Sequence, residues 1–209
     1  MTRLPVIPAA ALAAMMILAS CSDTAVKPAA APEAAKEPAK PAEPGPAKPA
    51  FWKMYKPIRE WSKDVQLLSM NNKTIPEMKG AEGKEAAWDA IFVSASKHQS
   101  RKVTYSEVDS GSDLRKGVTI FGESAWGGPT RDLEPFANSE FGTDSDAAYK
   151  TAAAKAADWL KAHPNQPLTI LLGKAAAYAT PVWAFTWGDK KSGFIAVVNA
   201  TTGDLISPK

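Results

Sequence analysis

Cys21 is the single thiol in a chain of 209 residues, and a lone thiol has a short list of chemistries. It cannot close a disulfide within the chain or build a zinc or iron–sulfur site, which need several ligands. It can be acylated. His98 and His163 are the two histidines, the side chains that ordinarily titrate near neutrality, and neither stands at ligand or triad spacing from a partner. Each falls at the end of an expected helix, where an imidazole can bond the last carbonyls. Gly122-Glu123-Ser124-Ala125-Trp126-Gly127 approaches the Gly-x-Ser-x-Gly turn of a serine nucleophile. Trp126 occupies the second glycine position, and its bulk does not fit that strained turn, so the segment reads as a strand end. Asp144-Ser145-Asp146 places acids at an expected helix start, where the macrodipole favours them. It lacks the ligand spacing of a calcium loop. Glu85 and Asp89, four apart, read as the solvated face of a helix. No glycine-rich phosphate loop occurs. These residues point to a chain that is not an enzyme and holds no cofactor or metal. A hydrolase working through dispersed carboxylates is the enzymatic alternative.

What precedes Cys21 decides its chemistry. Arg3, an apolar run from Leu4 to Leu18 and the small residues Ala19-Ser20 have the layout of an export signal over residues 1–20. The run is shorter than the roughly 20 residues that cross a bilayer. Leu18-Ala19-Ser20-Cys21 resembles the lipobox of bacterial lipoproteins. The resemblance implies cleavage before Cys21, diacylation of its thiol and acylation of the new amino group. Several acyl chains on one residue give stable anchoring. Ser22 follows Cys21 in place of the aspartate that retains some lipoproteins in the inner membrane, which favours the outer membrane, facing the periplasm. The formal net charge of +3 offers no basic field for nucleic acid.

Residues 22–50 hold ten alanines and seven prolines and no aromatic residue. Proline removes N–H donors and blocks long helices, and little apolar surface offsets the entropy of ordering. With Cys21, this stretch (21–50) reads as a lipidated tether. All seven tryptophans follow it, in a stretch long enough for one monomeric domain with its own core. The spacing of Ile58, Trp61, Val65 and Leu68 predicts a helix over 57–70, and Ala87, Trp88, Ile91, Phe92 and Ala95 predict another over 84–96. Alternation predicts strands over 101–108 and 117–124, and a loop follows at 127–143. A third helix starts near Asp144, with Thr143 as its N-cap and Tyr149, Ala153, Ala156 and Leu160 on one face. Strands follow over 168–172, 181–187, 193–199 and 204–206.

The ending is more specific. Pro181-Val182-Trp183-Ala184-Phe185, a hairpin, and Phe194 through Thr202-Gly203-Asp204-Leu205 resemble the close of a PepSY domain, with Asn199 where that family usually has Asp. The resemblance covers 144–207 at most. It implies a small extracytoplasmic α+β module with a protein-binding or peptidase-modulating role, and it brings no catalytic residue. The expected fold is α+β, helices packed on antiparallel sheet. Its two α-then-β halves, 51–143 and the PepSY-like 144–209, are in tandem. Trp183 and Phe185 share the buried face of a strand, with Trp187 on the same side at its end. Trp126 beside Gly127-Gly128-Pro129, and Trp187 beside Gly188, are candidates for a shallow binding surface for a protein, peptide or glycan, peptidoglycan included.

Overall fold

The computed structural model describes residues 41–189 and 191–206. Cys21, the signal and most of the expected tether lie outside them. Helix α1 spans Ala47–Ile58, and strands β1 to β4 follow at Gln66–Lys73, Ala87–Ser94, Gln99–Ser106 and Gly117–Ala125. Helices α2 (Ser145–Lys155) and α3 (Ala157–Ala162) precede β5 to β8 at Leu168–Gly173, Val182–Trp187, Phe194–Asn199 and Leu205–Ile206. The strands form one eight-stranded sheet in the order β4-β3-β2-β1-β5-β6-β7-β8, antiparallel throughout. This is the expected α+β architecture. Helix-then-four-strands occurs twice, and the two first strands, β1 and β5, meet in the middle. No helix among the described residues is long and apolar enough to cross a membrane.

Two expected helices are replaced. Pro57 and Ile58 close α1 instead of opening a helix, and 66–73 is β1. The apparent stripe from Ile58 to Leu68 joined the end of a helix to the start of a strand. The 84–96 helix is β2, in which Trp88, Ala90 and Phe92 face the helices while Ala87, Asp89 and Val93, on the other side, are buried too. Burial on both faces removes the alternation that marks a half-exposed strand. Glu85 and Asp89 are therefore not on a solvated helix; both are buried. His98 lies in the β2–β3 turn with φ 52°, and only His163 caps a helix end. Asp144, not Thr143, is the N-cap of α2, its carboxylate accepting from the Ser145 N–H at 2.7 Å.

The domain also starts earlier than composition suggests. Gly45 and Glu85 exchange backbone hydrogen bonds of 2.9 Å in both directions, and Trp88 Nε1 donates to the Gly45 carbonyl at 3.1 Å. Ala47 and Ala50, tether-like in sequence, are buried against the sheet. Proline-capped α1 has no side-chain cap of its own. The C-terminal half supplies one: Ala47 N–H donates to Ser145 Oγ at 2.9 Å and Lys48 N–H to Asp144 Oδ1 at 2.8 Å, while Ser145 Oγ donates to the Gly83 carbonyl at 2.6 Å.

Register explains the core. Ile120, Val103, Ala90, Met70, Leu172, Trp183, Val198 and Leu205 are cross-strand neighbours in one row spanning all eight strands on the helix side. Trp183 is fully buried in this row. Its ring lies 6.4 Å from that of Trp88 in the first half and 5.6 Å from that of Phe141, and its Nε1 donates to the Thr143 carbonyl at 2.9 Å. Truncating such a side chain costs about 3–5 kcal/mol, out of a typical domain stability of about 5–15 kcal/mol. Trp183→Ala should lower the denaturant midpoint drastically, and half-buried Trp126→Ala should shift it little. Equal midpoints for wild type and Trp183→Ala in a urea titration would overturn this assignment of the core.

Candidate functional site

All three described helices pack on one side of the sheet, so the reverse side carries its own cross-strand row. Thr119, Thr104, Asp89, Asn71, Leu171, Ala184, Val197 and Ile206 are successive neighbours from edge to edge. The row is polar on β4 to β1 and apolar on β5 to β8. In the polar half, Thr104 Oγ1 donates to Asp89 Oδ1 at 2.5 Å and Lys102 Nζ pairs with Asp89 Oδ2 at 2.8 Å. The Lys102 ammonium also lies 5.6 Å from the Phe121 ring centre. Thr104 and Asp89 are buried by these neighbours, and their hydrogen-bonding capacity is spent on each other.

The apolar half is different. Leu171 is 41% exposed and Ile195 56%, on neighbouring strands of one half, while Val118, Ile120 and Phe121 are exposed on the edge strand β4. Leu171, Val182, Ala184 and Val197 floor a groove walled by Leu133 and Tyr178, with a cavity volume of about 160 Å³. Tyr178 and Val197 continue into a second hollow with Ile195, Leu205 and Ile206. Gly173 gives the Leu133 wall room to approach the strand: a Cβ there would meet Leu133 Cδ1 at 3.2 Å. A small-molecule site usually encloses about 300–1,000 Å³ and adds convergent polar groups. The groove and the hollow it continues into are lined mainly by apolar side chains, with Asp132 and Lys174 also lining the groove, and form an open trough suited to a few side chains of a protein or peptide.

The two tryptophans proposed as a binding surface part company. Trp126 is half-buried and lines a cleft with Leu68, Gly127, Gly128, Pro129 and Leu133. Leu133 is thus shared between the Trp126 cleft and the apolar groove. Trp187 is 3% exposed, stacked near Phe185 and Tyr149 at ring distances of 6.1 and 6.0 Å. It belongs to the core because β6 does not fray: Trp187 still pairs with Leu168 and Phe194. The groove residues were visible only indirectly. Val182 and Ala184 make β6 apolar on both faces, as Ile195 and Val197 do for β7, and a sheet covered on one side leaves one apolar face bare.

Other polar clusters are accounted for by structure. The Asp64 carboxylate accepts from Ser62 Oγ at 2.5 Å, Ser94 Oγ at 2.6 Å and Ser96 N–H at 2.7 Å, and these bonds, Ser62's first, hold its pKa well below the usual carboxylate range. The arrangement ties the α1–β1 connection to the end of β2. It includes no imidazole: His98 makes no side-chain hydrogen bond, and the His163 ring bonds the Trp159 carbonyl. Among the described residues, no group of three or more His, Cys, Asp or Glu side chains could hold a metal.

Glu85 is the most burdened carboxylate. It is buried and makes no ion pair among the described residues; Asn72 Nδ2 donates to its Oε1 at 3.1 Å. Gly80 is pressed so closely on it that a Cβ there would lie 2.0 Å from Oε2. Burial pushes the Glu85 pKa up, opposed by the Asn72 bond. A folded-state value above the unfolded one means that the protonated form favours folding. That stability is complete below the unfolded value and is lost as pH rises through the raised one. Glu85→Gln keeps an acceptor for Asn72 and removes the buried charge. The variant should melt above wild type at neutral pH, and the difference should shrink toward about pH 4. A gain that is the same at both pH values would contradict this account.

No protein-family model matches the chain, and no curated protein matches it closely. The PepSY resemblance therefore has no support beyond its own residues. Among solved structures, a crystal structure at 1.85 Å of a "putative lipoprotein" from Clostridium difficile 630 aligns over 79% of this chain and 92% of its own, with a TM-score of 0.44 and 8% identity. At that distance nothing about this chain's function follows from it.

Proposed function

We propose that the protein is a lipid-anchored component of the bacterial cell envelope, without catalytic activity of its own, that presents the bare face of its sheet to a protein or peptide. The observation that carries the binding assignment is the apolar half of the reverse row, with Leu171 and Ile195 left exposed on regular strands. Contiguous exposed apolar surface on a folded domain marks an interaction site. The predominance of Leu133, Leu171, Val182, Ala184 and Val197 over Asp132, Lys174 and Tyr178 in the groove favours a protein or peptide over a glycan. Anchoring is supported by Leu18-Ala19-Ser20-Cys21.

A photoreactive residue placed at Leu171 or Ile195, one at a time in living cells, should yield discrete crosslinked adducts, whereas one at exposed Lys161 on α3 should not. Leu171→Lys in the Ile195-labelled protein should remove the adducts without changing the melting temperature, because exposed substitutions usually cost less than about 0.5 kcal/mol. Absence of adducts from both positions would refute the binding assignment. The anchor is tested separately: Cys21→Ser should abolish labelling by a fatty-acid analogue, and a variant that stays labelled would refute it.

A further inference from the structure

Helix α1 carries a second exposed surface, on the opposite side of the molecule from the bare sheet face. Its inner side, with Phe51, Met54 and Ile58, is buried against β2 and β3. Its outer side exposes Pro49, Trp52, Lys53, Lys56 and Arg59, residues three and four apart that form one stripe. Trp52 is 51% exposed, the most exposed of the large aromatic side chains described. The domain's core does not require it there, because its ring meets only the edges of Phe51 and Tyr55, at 5.1 and 5.7 Å.

The charge on this stripe is one-sided. From Ala47 to Arg59 there are four cations (Lys48, Lys53, Lys56 and Arg59) and no acid, with Glu43 and Glu60 flanking the helix. Lys48 Nζ donates to the Gly142 carbonyl, and Lys53 reaches Tyr105 and Glu107. Among the described residues, Lys56 and Arg59 make no ion pair. A tryptophan among lysines suits a membrane interface, where the indole sits at headgroup level and cations meet anionic lipid. Tryptophan and arginine are common at protein interfaces too, but lysine, which supplies three of the four cations here, is depleted there. Position argues the same way. Residues 22–46 lie between Cys21 and α1, and even a fully extended chain of that length spans only roughly 85 Å. A domain so tethered meets its membrane at high effective concentration.

We propose that the outer stripe of α1, centred on Trp52, Lys56 and Arg59, docks on anionic phospholipid headgroups of the membrane to which the chain is anchored. Because α1 and the bare sheet face point in opposite directions, docking turns the Leu171–Ile195 surface away from the lipid. Asp144 and Ser145 tie α1 to α2, and Phe51, Met54 and Ile58 pack it on the sheet, so the orientation passes to the whole domain. The inference rests on the anchoring reading for its biological setting, but the contact itself is measurable without the anchor.

The test uses residues 22–209, which lack leader and lipid but contain the whole described domain, in sedimentation with vesicles. The protein should bind vesicles rich in phosphatidylglycerol, bind pure phosphatidylcholine vesicles far more weakly, and release as salt rises. Each of Lys56→Gln and Arg59→Gln should weaken binding about five-fold, from about 1 kcal/mol per cation near a charged surface. Lys56→Glu/Arg59→Glu and Trp52→Ser should abolish it with circular dichroism unchanged. No binding to anionic vesicles, equal binding to both lipids, or undiminished binding by the charge-reversed variant would each overturn the proposal. Discrete in-cell protein crosslinks from a photoreactive residue placed at Trp52, without any vesicle binding, would overturn the proposal and assign the stripe to a protein instead. Failure of fatty-acid labelling at Cys21 would remove the tether and leave the vesicle result standing by itself.

Discussion

The sheet depends on the pairing of β1 with β5. Only three residue pairs make this seam: Ser69 with Gly173, Met70 with Leu172 and Asn71 with Leu171. Every other strand pair joins neighbours in sequence. Asn72 extends the seam beyond the ladder. Its Oδ1 accepts from Ile170 N–H at 2.9 Å and its Nδ2 donates to the Leu168 carbonyl at 3.0 Å, so a side-chain amide continues the backbone pattern where the strands diverge. The same amide also bonds Glu85. A half-buried amide with its donors and acceptor all engaged is specific, because any shift of register breaks several hydrogen bonds at once. Through this seam Met70 and Leu172 make one row of two, and Trp88 and Trp183 make one core of two.

A second tie crosses the helix layer. The capping groups of α2 serve α1 as well, through Ser145 and Asp144. Asp144 is substantially buried, and burial raises its pKa against the pull of the Lys48 and Ser145 N–H donors. Pro46 and Pro49 carry no N–H, so the free donors of the first turn of α1 are those of Ala47 and Lys48, and no side chain of its own caps them. Borrowing the cap of another helix solves that and fixes the angle at which the preceding chain enters. The bare reverse face and the basic stripe therefore have a constant relation to each other, and the function argued for each depends on that relation.

Legibility of these features followed burial. The last four strands are legible because short apolar runs there are bounded by turn residues, and Trp183, Phe185 and Trp187 fall at every second position of β6. The first half was read as helical where β2 is buried on both sides and where Ile58 and Leu68, from different elements, fell at helical spacing. The tether boundary was misplaced because Ala47 and Ala50 have the same composition as a spacer; only Gly45 at its bridge and the distant Ser145 show that they fold. Trp126 was singled out beside its glycines and does line a cleft next to the groove. Trp187 had the same local sequence signal and is core, since a neighbouring glycine reports a turn and says nothing about which face of the strand is covered. Leu171 and Ile195 could be placed on a face from alternation, but whether that face was covered depended on where every helix packs.

The seam has a consequence for the order in which the chain can fold. Within each half, contacts are local and can form early. The β1–β5 pairing must wait until residues 168–173 exist, and until then β1 is an edge strand with unpaired backbone groups, the kind of edge that templates aggregation. The composition of β1, Gln66-Leu67-Leu68-Ser69-Met70-Asn71-Asn72-Lys73, answers that hazard. Ser69, Asn71, Asn72 and Lys73 make the waiting edge polar along most of its length, a poor template for another chain. The asparagine that later completes the seam thus first protects it.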